Sequence, residues 1–251
     1  VSWIDEPIAG LDFETTSPLP TEARIVTASV IVVVGRETNV REWTADPGVE
    51  IPAEATEKHG INTEDARRYG RDPAEVATEV AEEVTKAWAK GLPIIAYNAS
   101  YDLTVLHHEL IRHCGKPQGL LAYGPVGPVI DPLVIDKHCD RYRRGSRKLV
   151  DTCQHYGIIL LEAHSASADT LAAMRLAWKL AKCYPEIGAM SLDELQVVQA
   201  VWYRESQLSF ATYLRDKVVA QAEPSERPGI MERADGVVAS ADGWPMKGTV
   251  S

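Results

Sequence analysis

Two carboxylates stand two residues apart in Leu11-Asp12-Phe13-Glu14-Thr15-Thr16, at the end of an apolar run that begins at Ile8. In an extended chain residues i and i+2 point to one face, so Asp12 and Glu14 converge while Phe13 faces away. Two like charges held that close repel unless a cation shares them. Carboxylate oxygens suit a hard divalent ion, Mg²⁺ or Mn²⁺. A solvated strand end would carry the same residues without that chemistry.

Further along, Ala96-Tyr97-Asn98-Ala99-Ser100-Tyr101-Asp102 leads from a short apolar run into a helical pattern with Asp102 in its first turn. Asn98 or Ser100 could cap that helix, and an acid there complements the helix dipole with no further role. In His164-Ser165-Ala166-Ser167-Ala168-Asp169, Ser165 or Ser167 is placed to cap a helix carrying Asp169, with His164 on the loop before it. A histidine of unperturbed pKa, about 6.5, can move protons at neutral pH. A surface loop beside a capped helix accounts for the same residues.

Together these pieces resemble the DEDDh 3′–5′ exonucleases, in the superfamily of ribonuclease T and the proofreading subunits of bacterial replicative polymerases. The first motif of that family, Asp-x-Glu followed by Thr, is matched by Asp12 to Thr16. Its second, Asn-x-x-x-Asp, is matched by Asn98 to Asp102, and its third, His and Asp with four residues between, by His164 to Asp169. His59-Gly60-Ile61 resembles a family segment near the 3′-terminal nucleotide, and Lys148-Leu149 with Tyr156-Gly157-Ile158 resembles the helix before the third motif. The resemblance runs roughly from residue 7 to residue 180 and is specific in combination where each piece is weak.

The resemblance implies a ribonuclease H-like fold and a metal-dependent phosphodiesterase that releases nucleoside 5′-monophosphates from the 3′ end of DNA, in proofreading or repair. Trimming of RNA is the alternative, and a non-catalytic partner-binding module of the same fold is the rival from another class. Two ions, Mg²⁺ or Mn²⁺, about 3.5–4 Å apart, would be held by Asp12, Glu14, Asp102 and Asp169, with Asp12 bridging them. His164 would be the general base. Thr15, Thr16, His59 and Asn98 would meet the substrate, Asn98 either positioning it or only capping the helix. Four acids and a histidine kept together speak against the idle module. The expected partner is a single-stranded 3′ end, DNA ahead of RNA, with a DNA polymerase or a second copy of the chain as protein partners.

The net charge of −10 runs against binding a polyanion, but its distribution does not. Arg141-Tyr142-Arg143-Arg144-Gly145-Ser146-Arg147-Lys148 gathers five basic residues within eight positions, and Arg67, Arg68 and Arg71 form a smaller group after His59. The longer run is read as a phosphate-contacting loop, with Arg143, Arg144 and Arg147 as candidate contacts, against a solvated face. Two other motifs fail. His108 and His113 are one residue too far apart to share the helix face a metalloprotease requires, and the prolines of Gly124-Pro125-Val126-Gly127-Pro128 remove amide donors a phosphate loop needs.

The elements that must position these residues follow from periodicity. Ile8–Phe13, Ile25–Val34 and Val40–Thr44 read as an antiparallel meander, and short buried strands are expected at 93–96 and 129–131. Helical patterns cover Pro73–Lys90, Tyr101–Cys114, Pro132–Cys139, Lys148–Tyr156, Ala168–Tyr184 and about Leu192–Val219. The expectation is an α/β fold, a mixed sheet flanked by helices, with a C-terminal helical extension. Residues 1–186 form the catalytic domain, 187–220 a helical extension packing on it, and 221–251 a poorly ordered tail or an extended arm held by Trp244 and Met246.

With 251 residues, 45% hydrophobic and 25% charged, the chain can bury a sizeable core. The nearly apolar stretch Ile25–Gly35 falls far short of the ~20 residues of a membrane helix. The Asp5-Glu6 start does not read as a signal peptide, so a cytoplasmic protein without membrane association is expected. The four cysteines show no C-x-x-C pairing and read as reduced thiols; a zinc site gathering His138, Cys139, Cys153 and His155 by folding is the lesser alternative.

Overall fold

The computed structural model describes residues 2–160 and 165–247. Three strands open the chain, β1 (Ile8–Thr15), β2 (Ile25–Val34) and β3 (Glu37–Thr44). Two short helices follow, α1 (Ala53–His59) and α2 (Thr63–Tyr69), then α3 (Pro73–Ala89). The pair β4 (Ile94–Ile95) and β5 (Val129–Ile130) brackets α4 (Ala99–Cys114). The rest is helical: α5 (Pro132–Cys139), α6 (Leu149–His155), α7 (Ala166–Cys183), α8 (Pro185–Ala189) and α9 (Leu192–Tyr213). From α9 a π-helical stretch, Leu214–Val218, leads into α10 (Val219–Gln221), and α11 (Arg227–Ala239) comes last.

The sheet has the order β3-β2-β1-β4-β5, antiparallel across its first three strands and parallel across β1, β4 and β5. The alternation of β1 sets the two faces. Ala9, Leu11 and Phe13 bury against α3 and α4, whose stripes include Val76, Val80, Val84, Leu103, Leu106 and Leu110. Residues 10, 12 and 14 point the other way, where α7 crosses and packs Met174, Leu176 and Leu180 against Ile31, Ile95 and Ile130. The mixed sheet between helices is the ribonuclease H-like architecture.

Local chemistry explains the helix starts. Asp72 caps α3 with Pro73 at its first position, Ser165 caps α7, and Ser191 with Glu194 forms a capping box on α9. Helices α1 and α2 carry no apolar stripe, burying only Ala66, which is why periodicity does not reveal them. The extension is stitched to the sheet edge. Gln196 Oε1 accepts the Val129 N–H (2.8 Å), and Gln199 accepts the Asp131 N–H (2.7 Å) while donating to Val129 O (2.9 Å). Two glutamines thus pair the otherwise open edge of β5. Val197 and Val201 of the same helix remain exposed.

Of the segment 221–251, residues 221–247 are described. Arg227–Ala239 is helical, with Ala234 buried against Ala211 and Leu214. Beyond it Trp244 and Met246 insert into the main core, and the Lys247 N–H donates to Thr104 Oγ1 (2.8 Å). A low-complexity composition hides this because only these few apolar side chains carry the docking. Among the described residues no helix is long and apolar enough to cross a membrane. His138, Cys139, Cys153 and His155 form no metal-ligand cluster there either; His138 lies flat on Trp202, and His155 faces Asp140.

Candidate active site

Asp12 and Glu14 lie on the α7 face of β1, opposite Ser29 and Thr27 of β2. Asp169, in the first turn of α7, completes a group of three carboxylates whose oxygens lie within 4.8 Å of one another. Crowding and desolvation show in the acidities. Burial, then the charges of Asp102, Glu14 and Asp169, push the Asp12 carboxyl well above its usual range. Burial and Asp169 raise Glu14 to about 7, partly offset by Lys58. Hard oxygen donors held together against their own repulsion fit a divalent cation.

Asp102 reaches the site differently. It comes from α4, is buried, and its Oδ1 accepts the Phe13 N–H (3.2 Å) between the two strand acids. Burial raises its pKa strongly, with Asp131 and Glu14 adding to the effect. It faces Asp12 electrostatically but stands outside the three-carboxylate group. His164 lies outside the described residues, so the site comprises its four acids and the residues around them.

Beside the acids opens a cleft of about 630 Å³ lined by Glu14, Thr15, Thr16, His59, Asn98 and Tyr101 among others. Thr15 shares a hydrogen bond with the Tyr101 hydroxyl, which donates to Ser17 O. Thr16 Oγ1 accepts the Arg24 N–H (3.0 Å) and closes the β1–β2 connection. His59 ends α1, its Nδ1 accepting the Ile61 N–H (3.2 Å), and burial and Lys58 lower its pKa. A neutral imidazole with a proton on Nε2 follows.

Asn98 stands at the start of α4 in the left-handed conformation (φ 67°, ψ 47°), and its side chain makes no capping bond. The cap is instead Asp131, a residue not singled out in the sequence. Its carboxylate accepts the N–H groups of Asn98 (3.0 Å) and Ala99 (2.9 Å) and, at the start of α5, those of Leu133 and Val134. Asn98 is thereby left exposed to the cleft. The signal was present in Asp131-Pro132, an N-cap acid before a first-turn proline.

The basic run divides. Arg143 Nη2 and Arg147 Nη1 each lie 2.6 Å from Oδ2 of the fully buried Asp136, and Tyr156 OH donates to its Oδ1 (3.0 Å). These two arginines hold the 140–148 loop to α5 and do not line the acid cleft. Arg144 is exposed, as are Arg141 and Lys148. Arg71 is occupied by Glu75 and Glu79.

The RNase T exonuclease family model matches residues 9–177. No curated protein matches the chain. Among solved structures it is similar to E. coli exonuclease I in complex with a dT13 oligonucleotide, with 19% identity and a TM-score of 0.60 over 72% of this chain and 42% of that one. The zinc-bound E. coli exonuclease I–ssDNA complex gives 18% and 0.63 over 82% and 45%. An exonuclease I from Methylocaldum szegediense gives 20% and 0.60 over 82% and 46%. The chain thus spans less than half the length of these solved proteins, and the likeness to them is one of fold.

Proposed function

Because the chain belongs to the RNase T exonuclease family, we propose that it is a divalent-metal-dependent 3′–5′ exonuclease acting on single-stranded DNA in the cytoplasm. The observation that carries this is the meeting of Asp12, Glu14 and Asp169, from a strand and a helix far apart in sequence, with the pKa values of Asp12 and Glu14 raised. Two Mg²⁺ or Mn²⁺ ions would be held by these carboxylates with Asp102, and when bound would supply a water acidic enough to attack and charge stabilisation on phosphate and leaving oxygens. Asp102, tied to the Phe13 amide, keeps one carboxylate fixed beside the strand acids. Thr15, Thr16, His59 and Asn98 receive the terminal nucleotide in the adjoining cleft. His164 is the base that takes the proton of the attacking water. The new bond forms between the water oxygen and phosphorus as the P–O3′ bond breaks, which frees a nucleoside 5′-monophosphate and leaves a shortened 3′-hydroxyl.

DNA is favoured over RNA because structural neighbours were solved with DNA oligonucleotides. Proofreading or repair is the role such an activity serves, with a polymerase as the partner proofreading implies. The test follows 5′-labelled DNA and RNA of one sequence with Mg²⁺ or Mn²⁺, with EDTA, and with Asp12→Ala. A ladder shortening from the 3′ end of DNA, absent in EDTA and in the variant, is expected. A ladder on RNA alone would transfer the assignment to an exoribonuclease. Intact DNA and RNA with folded protein would leave the binding module.

A further inference from the structure

A second groove, of about 540 Å³, lies between the end of α5 and the C-terminal half of α9. Its walls combine cations with aromatic rings. The His138 imidazole lies flat on Trp202, ring centroids 3.8 Å apart and planes at 13°, and Phe210 and Tyr213 are 38% and 55% exposed. The side chains of Lys137 and Arg141 also line it, and neither makes a hydrogen bond or ion pair among the described residues. Its one acid is Glu205. Arg147 lines it as well, paired with Asp136, so in a chain of net charge −10 the cations of this groove outnumber its lining acid.

Its place relative to the acid site is set by α5. Asp131 at the head of that helix holds the backbone of Asn98, which lines the catalytic cleft. Lys137 lies six residues on, about 9 Å along the helix axis. One helix therefore links the carboxylate that holds Asn98 to the groove. Two of the aromatic walls, Phe210 and Tyr213, and the Trp202 platform come from α9, outside the family-matched residues 9–177.

We propose that the α5–α9 groove is a second subsite for single-stranded nucleic acid, holding nucleotides upstream of the 3′ end that enters the acid cleft. Rings stack on bases of any sequence and cations meet the intervening phosphates, a combination that tracks an unpaired strand. A duplex keeps its base faces covered and offers only phosphates. The direction of the strand rests on the exonuclease reading; binding in the groove requires no hydrolysis.

The test measures fluorescence anisotropy of labelled thymidine trimer and dodecamer with the full chain in EDTA. The wild-type protein is expected to bind the dodecamer at least about tenfold more tightly than the trimer, the equivalent of one stacked base at ~1.4 kcal/mol. Arg141→Glu, at an exposed position without a partner, and the pair Lys137→Ala and Phe210→Ala are each expected to remove most of that ratio. Arg141→Glu should also lower the salt dependence by about one phosphate contact. Photo-crosslinking of 4-thiothymidine placed upstream in the dodecamer should label peptides of α5 or α9. Equal affinity for both lengths in the wild type, or an unchanged ratio in both variants, would overturn the proposal. So would a glutamate-rich peptide that binds the wild type but not Arg141→Glu while the dodecamer binds both alike, since the groove would then serve an acidic protein. Failure of the exonuclease reading registers separately, as a dodecamer left intact in Mg²⁺.

Discussion

A Cβ added to Gly10 would stand 2.5 Å from Thr170 Cγ2 and 2.6 Å from Met174 Sδ. Gly10 shares the β1 face with Asp12 and Glu14, and Thr170 follows Asp169 on α7. The missing side chain is what lets the helix lie close enough for its acid to join the strand acids. Thr170 cannot yield easily, since it is buried, β-branched, and bonded through Oγ1 to Ala166 O (2.6 Å). Gly10→Ala is therefore expected to cost about 1–3 kcal/mol and to weaken Mn²⁺ binding by displacing Asp169. Thermal unfolding and calorimetric Mn²⁺ titration check this; unchanged metal affinity would separate the packing from the site.

The acid cluster makes metal-free stability depend on pH. Glu14 is raised to about 7 in the fold, above its unfolded value, so the folded state binds the extra proton. Deprotonation on raising the pH through 7 costs stability, on the order of 3 kcal/mol, and the cost disappears as the pH falls toward ~4.5. Denaturant unfolding in EDTA should show a protein more stable at pH 5.5 than at pH 8. Glu14→Gln should flatten that slope, and Mn²⁺ should reverse it by binding the ionised acids.

Asp131→Ala removes the acceptor for four backbone N–H groups at two helix starts. A loss of about 2–4 kcal/mol is expected, because two of the orphaned donors, those of Ala99 and Val134, are buried. Asp131→Asn, which keeps one oxygen, should cost less. With Asn98 released from its left-handed conformation, the KM for oligonucleotide should rise more than denaturation explains, measured at a temperature where both variants remain folded.

Arg147→Ala separates structural from substrate-binding arginines. It leaves the fully buried Asp136 with one of its two arginines, and a loss of ~3 kcal/mol is expected. Arg144→Ala, exposed, should leave the unfolding midpoint within about 0.5 kcal/mol and act on nucleic-acid affinity alone. A Tm for Arg147→Ala equal to wild type would return that residue to the phosphate-contacting group.

What the sequence determined by itself is the local chemistry. A period of two places Asp12 and Glu14 on one face whatever the strand pairs with, and Ser165 offers a helix start because a cap acts within a few residues. The apolar stripes of α3, α4 and α7 are equally local, and they suffice for a sheet between helices. Tertiary structure decided everything that depends on two distant segments meeting. The approach of Asp169 hangs on a bare Cα at Gly10, the exposure of Asn98 on a carboxylate 33 residues away, and the fate of Arg143 and Arg147 on a buried Asp136. A basic run looks the same in sequence whether its charges face phosphate or an internal acid, since charge pairing is set by spatial neighbours and carries no periodicity. Trp244 and Met246 were legible as candidates and Arg227–Ala239 was not, because two large side chains can anchor a tail while a helix without a strong apolar stripe reveals itself only by what it covers.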